Sequence, residues 1–131
     1  MRFSAQDAAH DVGGRLEGPD VAIDGVSFDT RTLRPGQLFV PIVGDRDGHE
    51  FIPAALEHGA AAYLTARPSN ALGGTAIVVD DTLDALMRLG ASAAHRFTGT
   101  IIGVTGSVGK TSTKDLVWAA LGASRRTWAN E

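Results

Sequence analysis

Thr100-Ile101-Ile102-Gly103-Val104-Thr105-Gly106-Ser107-Val108-Gly109-Lys110-Thr111-Ser112 is the stretch that decides how this chain is read. A short apolar run turns through glycines into Thr111 to Leu121, whose composition and spacing predict a helix. A strand that enters a helix N-terminus through such a turn, with a lysine at the turn, builds a phosphate cradle. Loop amides converge on one anion, the helix adds its positive dipole end, the lysine adds a full charge, and the next hydroxyl can hold Mg2+. The tail Gly109-Lys110-Thr111 fits the strict pattern, whereas Val104 stands where that pattern has its first glycine. The bland alternative is an ordinary strand-to-helix turn with a chance Gly-Lys-Thr. The context favours a nucleoside triphosphate site.

Upstream, strands and helices alternate. Ser4 followed by Asp7 reads as a capping-box start to a helix that ends at Val12 before Gly13-Gly14. Val21 to Phe28 reads as a strand pair or a bulge near Asp24-Gly25, and Leu33 to Gly36 as a turn. Gln37 to Val43 reads as a strand whose Pro41 suggests an edge or bulge, and Gly44 to Gly48 as a loop. Phe51, Ile52, Ala55 and Leu56 recur at helical spacing up to His58-Gly59, and Ala60 to Thr65 reads as a buried strand. Arg67 to Gly74 reads as a loop and Thr75 to Val79 as a strand. Asp80-Asp81-Thr82 then caps a helix carrying Leu83, Leu86, Met87, Leu89 and Ala93 to about Phe97. The pattern predicts an α/β fold with a largely parallel sheet. A phosphate loop normally opens its domain, yet this one is followed only by residues up to Glu131. The expected organisation is therefore a complete domain over 1–98, then over 99–131 the first strand, loop and helix of a second domain, left unfinished. On this reading the chain is a fragment.

Composition narrows the function classes. The chain has 131 residues, 44% of them hydrophobic and 21% charged, as in soluble globular proteins. A formal net charge of -3 gives no global pull toward nucleic acid, so nucleic-acid binding is not expected. There is no cysteine, which excludes disulfide and thiolate chemistry. The N-terminus lacks a signal-peptide core, and no apolar run approaches a membrane span. A cytoplasmic protein without membrane association is expected.

A second set of motifs precedes the phosphate loop: Ser27-Phe28-Asp29-Thr30-Arg31, Pro35-Gly36-Gln37-Leu38-Phe39-Val40, and Gly44-Asp45-Arg46-Asp47-Gly48-His49-Glu50-Phe51-Ile52. Together with Gly59-Ala60-Ala61-Ala62 and the phosphate loop, this order resembles the Mur ligases, ATP-dependent amide-forming enzymes of bacterial cell-wall synthesis. The resemblance covers nearly the whole chain. It departs at Val108, where the family commonly has asparagine; the loop amides survive that change, but any side-chain contact is lost. Asp29-Thr30-Arg31, Asp47-Gly48-His49 and Ser112-Thr113-Lys114-Asp115 look most like the branch that adds D-alanyl-D-alanine. The alternatives are the sister branch that adds the third residue and a non-catalytic nucleotide-binding module.

The resemblance implies an N-terminal domain that binds the UDP-MurNAc-peptide substrate, followed by the entrance to a central ATPase domain. It implies ATP contacts at Gly106, Ser107, Val108, Gly109, Lys110, Thr111 and Ser112. Lys110 would be catalytic, neutralising the β- and γ-phosphates, and Thr111 would ligate Mg2+. Substrate contacts are expected at Ser27, Asp29, Thr30, Arg31, Gly44, Asp47, Gly48 and His49, the other substrate being D-alanyl-D-alanine. The protein is expected to be monomeric, and this chain by itself inactive as a ligase. Arg31 suits phosphate because its guanidinium is a planar fork of donors; the competing reading is an internal Asp29–Arg31 pair that braces a turn. His49 could meet a ligand or serve as a cap or partly buried structural group. Asp80-Asp81 reads as a helix cap rather than a metal pair, and Trp118 as packing rather than cofactor stacking.

Overall fold

The apolar residues of the central strands alternate between two faces, and that alternation sets the layers. In the computed structural model, which describes residues 2–67 and 72–130, the chain divides into two compact units, Met1–Phe97 and Thr98–Glu131. The first unit runs β1 (Arg2–Ser4), α1 (Ala5–Val12), β2 (Arg15–Glu17), β3 (Ala22–Asp24), β4 (Val26–Ser27) and β5 (Leu38–Phe39). A 3-10 turn (Gly48–Phe51), α2 (Ile52–Glu57), β6 (Ala62–Thr65), β7 (Ala76–Val78) and α3 (Thr82–Arg96) complete it.

The main sheet has the order β2-β7-β6-β5-β4, with β4 to β7 mutually parallel and β2 antiparallel against β7. Cross-strand neighbours Phe39, Tyr63 and Ala76 share one face and pack with Ile52 and Ala55 of α2. Leu38 and Ala62, with Leu64 and Ile77, share the other face, against Ala5, Ala8, Ala9 and Val12 of α1 and Ala85 and Leu89 of α3. This is the period-2 logic of a strand buried on both sides. Each fully buried side chain of this size contributes about 1.5–3 kcal/mol.

The local start signals hold. Ser4 Oγ accepts from the Asp7 amide at 3.0 Å and Asp7 Oδ2 accepts from the Ser4 amide at 3.2 Å, the reciprocal capping box. Asp81 Oδ1 accepts from the Leu83 and Asp84 amides at 2.8 Å each, so Asp81 caps α3.

Several expectations are corrected. Val21 to Phe28 forms two strands that do not pair with each other. β3 pairs with β1 in a separate two-stranded sheet, while β4 joins the main one. β5 is interior rather than an edge; Pro41 follows it, where a missing N–H costs no ladder bond. β1 and β2 were not anticipated. On α3 the buried residues are Thr82, Ala85 and Leu89, whereas Leu83 and Met87 face solvent. The stretch read as a loop from Arg67 to Gly74 includes residues 68–71, which lie outside the described residues.

In the second unit Lys110–Gly122 form α4, close to the expected helix. Thr100-Ile101-Ile102 forms no strand: it has no ladder partner, and both isoleucines are exposed. α4 buries none of its residues, and Trp118 is half exposed, its indole N–H reaching the Thr127 carbonyl at 3.4 Å. No helix among the described residues is long and apolar enough to cross a membrane.

Candidate functional site

Because β4 to β7 are parallel, the segments that leave their C-terminal ends emerge at one edge of the sheet. Such an edge is where open α/β sheets bind ligands. Four segments meet there: Phe28 to Arg31 after β4, Val40 to His49 after β5, Ala66-Arg67 after β6, and Val79-Asp80 after β7. The fold thus brings all the expected substrate residues of the first unit to a single edge.

Several of these residues bond to one another within the chain. Arg31 is committed to Asp29: its Nε lies 3.0 and 3.1 Å from the two carboxylate oxygens, its Nη2 2.5 Å from Oδ2, and its backbone amide 2.9 Å from Oδ1. The side-chain and backbone hydrogen bonds from Arg31 hold the Asp29 carboxyl down at about 2, and the same pairing raises Arg31. This is the bracing arrangement. Buried Ser27 turns inward as well, its Oγ donating to the Asp29 carbonyl at 3.0 Å. Thr30 sits between them, half-buried.

The loop after β5 is equally self-contained. The Gly48 amide donates to the Ile42 carbonyl at 3.0 Å, and a Cβ at Gly48 would lie 2.5 Å from that oxygen, so only glycine fits. The Gly44 amide donates to the Arg46 carbonyl at 3.1 Å. Both glycine amides are therefore engaged inside the loop. His49 is 7% exposed with both ring nitrogens used: Nδ1 lies 2.7 Å from Asp47 Oδ1, and Nε2 accepts from the Ala66 amide at 3.1 Å. An Nε2 that accepts carries no proton, so the hydrogen-bond pattern assigns the neutral Nδ1–H tautomer. Asp47 Oδ1 also accepts the His49 amide at 3.0 Å, and Oδ2 accepts from Arg67 Nη2. The His49 amide and then the His49 ring hold the Asp47 carboxyl below the usual range; burial opposes them, and the Arg67 charge adds a smaller lowering effect. His49 is thus held through both ring nitrogens within the first unit.

Sequence reasoning missed Arg67, Arg15 and Asp80. They line a cavity of about 570 Å3 together with Glu17 and Val79. Arg67 follows β6 directly, so strand-end position was the available signal. Arg46, also missed, lies over the Phe51 ring at 4.9 Å.

In the second unit, Gly106 to Ser112 are exposed. Gly109 is the α4 N-cap at φ 80, a left-handed conformation that glycine adopts without cost, and no side chain caps the helix. α1 and α3 are capped by Ser4 and Asp81; the first-turn amides of α4 have no such acceptor. Lys110 Nζ folds back to donate to the Gly106 carbonyl, closing the loop on itself. Thr111 is exposed in that first turn.

These features define an α/β domain with a ligand-type strand edge and, separately, a phosphate-loop sequence leading into a helix. Residues 22–83 match the model described as "Mur ligase family, catalytic domain". Residues 22–83 thus carry a Mur ligase family match. It is 43% identical over 132 residues to the UDP-N-acetylmuramoyl-tripeptide--D-alanyl-D-alanine ligase of Bacillus subtilis, covering 96% of this chain and 29% of that protein. It is 48% identical over 117 residues to the ligase of that name from Synechocystis, covering 85% of this chain and 26% of the relative. MurF from Acinetobacter baumannii superposes with a TM-score of 0.83 at 28% identity, over 95% of this chain and 28% of that one. MurF ligase from Thermotoga maritima in complex with ADP gives a TM-score of 0.63 at 36% identity, over 76% and 23%. The chain thus spans between a quarter and a third of the length of these curated relatives.

Proposed function

We propose that this chain serves an ATP-dependent ligase of peptidoglycan precursor synthesis, a cytoplasmic monomer that joins D-alanyl-D-alanine to UDP-MurNAc-tripeptide. The observation that carries this reading is the identity to the Bacillus subtilis ligase across 96% of the chain, phosphate loop included. A second reading, transfer of the third residue, draws support from 41% identity to the 2,6-diaminopimelate ligase of Syntrophomonas wolfei, over 80% of the chain. Named D-alanyl-D-alanine ligases predominate among the relatives at comparable coverage, which favours the first.

Residues 1–98 bind the UDP-substrate along the strand edge, and 99–131 contribute to an ATP site. The reaction class is activation of a peptide carboxylate by phosphoryl transfer to give an acyl phosphate, then attack by the dipeptide amine with release of phosphate. The amides of Gly106 to Ser112, uncapped at α4, suit the polyphosphate, and ADP in the Thermotoga maritima relative is consistent with nucleotide there. Lys110 supplies the mobile positive charge, exchanging the Gly106 carbonyl for phosphate oxygens. Thr111 offers the hydroxyl that would hold Mg2+, whose charge would screen the phosphates.

The test is a chimera in which this chain replaces the matching segment of the Bacillus subtilis ligase. Phosphate release should depend on both UDP-MurNAc-tripeptide and D-alanyl-D-alanine. A folded chimera that responds instead to the dipeptide substrate with a diamino acid would support the sister reading, and one that responds to neither pair would refute both.

A further inference from the structure

The Asp47–His49 pair does more than close a loop, because it ends on a cation at the ligand edge. His49 is held from two sides, by Asp47 of its own loop and by the Ala66 amide just after β6. Asp47 in turn receives Arg67 Nη2. Of the arginines on this edge, Arg31 uses both Nε and Nη2 on Asp29, and Arg46 lies against Phe51. Arg67 differs. Among the described residues its guanidinium is engaged only through Nη2, its side chain is 62% exposed, and it lines the cavity with Arg15. Of the nearby carboxylates, Glu17 lies 2.7 Å from Arg15 and Asp47 accepts from three donors, while Asp80 also lines the cavity.

We propose that Arg67 is the residue that receives the diphosphate of a nucleoside-diphosphate ligand, and that His49, acting through Asp47, is its positioning residue. This rests on the reading of the first unit as a UDP-substrate domain. The neutral Nδ1–H tautomer gives Asp47 one fixed orientation, and the bidentate-capable guanidinium is thereby presented at the strand edge, where Arg67 lines the cavity. A guanidinium held this way loses less freedom on binding than a free surface arginine.

The test is calorimetric titration of this chain with UDP and with uridine, for wild type, Arg67→Gln, His49→Leu, His49→Gln and the Arg67→Gln/His49→Leu double variant. Wild type should bind UDP more tightly than uridine. Arg67→Gln should weaken UDP by about tenfold or more and leave uridine unchanged, as expected for one charge-assisted contact. His49→Leu should weaken UDP similarly, the double variant should be no weaker than either single one, and His49→Gln, which keeps a donor and an acceptor, should restore part of the affinity. Unchanged UDP affinity in Arg67→Gln overturns the proposal, and multiplicative losses in the double variant overturn the positioning role. Binding of neither compound by wild type would instead sink the UDP-substrate reading, and the proposal with it. Nitrogen chemical shifts of the wild-type His49 ring give a check that needs no variant: protonated Nδ1 is expected, and protonated Nε2 overturns the relay.

Discussion

Replacing Gly48 with alanine puts a methyl group where the Ile42 backbone already lies. The new Cβ would sit 2.5 Å from the Ile42 carbonyl oxygen, 2.6 Å from its amide nitrogen and 3.0 Å from the Pro41 carbonyl carbon. All three are backbone atoms, so no side chain can swing aside and the loop itself must move. Overpacking of this kind costs about 1–3 kcal/mol. Stretching the Gly48–Ile42 bond adds about 0.5–1.5 kcal/mol. The stiffer unfolded chain returns about 0.4–1 kcal/mol, leaving a net loss of about 0.5–4 kcal/mol, centred at about 2 kcal/mol. For a domain of this size that lowers the melting temperature by roughly 5–25 °C. Circular dichroism melts of wild type and Gly48→Ala measure it, with UDP titration of the folded variant as companion. The loop carries both His49 and Asp47, so UDP affinity should fall as well. A variant that melts within about 2 °C of wild type and binds UDP equally would refute the packing of the β5 loop described above.

Three further outcomes are expected. Arg31→Ala should lower the melting temperature while leaving UDP affinity unchanged, because the guanidinium serves Asp29; a selective loss of UDP binding would restore Arg31 to the ligand. Asp29 is held down at about 2 in the folded state, so its stabilising effect is full above the ordinary carboxylate range and is lost as pH falls from about 4 toward 2; Asp29→Asn should remove that portion of the acid-induced loss, measured by melts across this range, and identical pH profiles would contradict the pairing. Lys110→Ala in the chimera should abolish phosphate release and leave calorimetric binding of the UDP-substrate nearly intact, whereas turnover within a few-fold of wild type would remove Lys110 from the phosphate site.

What the sequence disclosed was mostly local. Ser4 and Asp81 announce their helices because a cap needs only residues within one turn. The buried strand Ala62–Thr65 and the α2 stop at His58-Gly59 are legible for the same reason. β1 and β2 are three residues each, too short to display a period, and exist only because β3 and β7 offer ladders. On α3 hydrophobicity misled: the tight face against alanine-rich α1 takes Ala85, and larger Leu83 and Met87 are left outside. Ile101-Ile102 has strand composition but no partner strand among the described residues, and composition alone does not make a ladder. The edge residues were found by motif order, but side-chain direction was not encoded there. Asp29 and Arg31, two apart, could brace or bind, and only their geometry shows bracing. The His49–Ala66 bond spans 17 residues of sequence, beyond any local pattern.

The central claim is that the C-terminal edge of the parallel sheet binds a UDP-MurNAc-peptide. Amide chemical-shift mapping of this chain during titration with UDP-MurNAc-tripeptide tests it most directly. The account predicts saturable shifts concentrated at residues 27–31, 43–49 and 66–67, with α1 and the outer face of α3 unmoved. No saturable shifts, or shifts confined to α1 and α3, would contradict it.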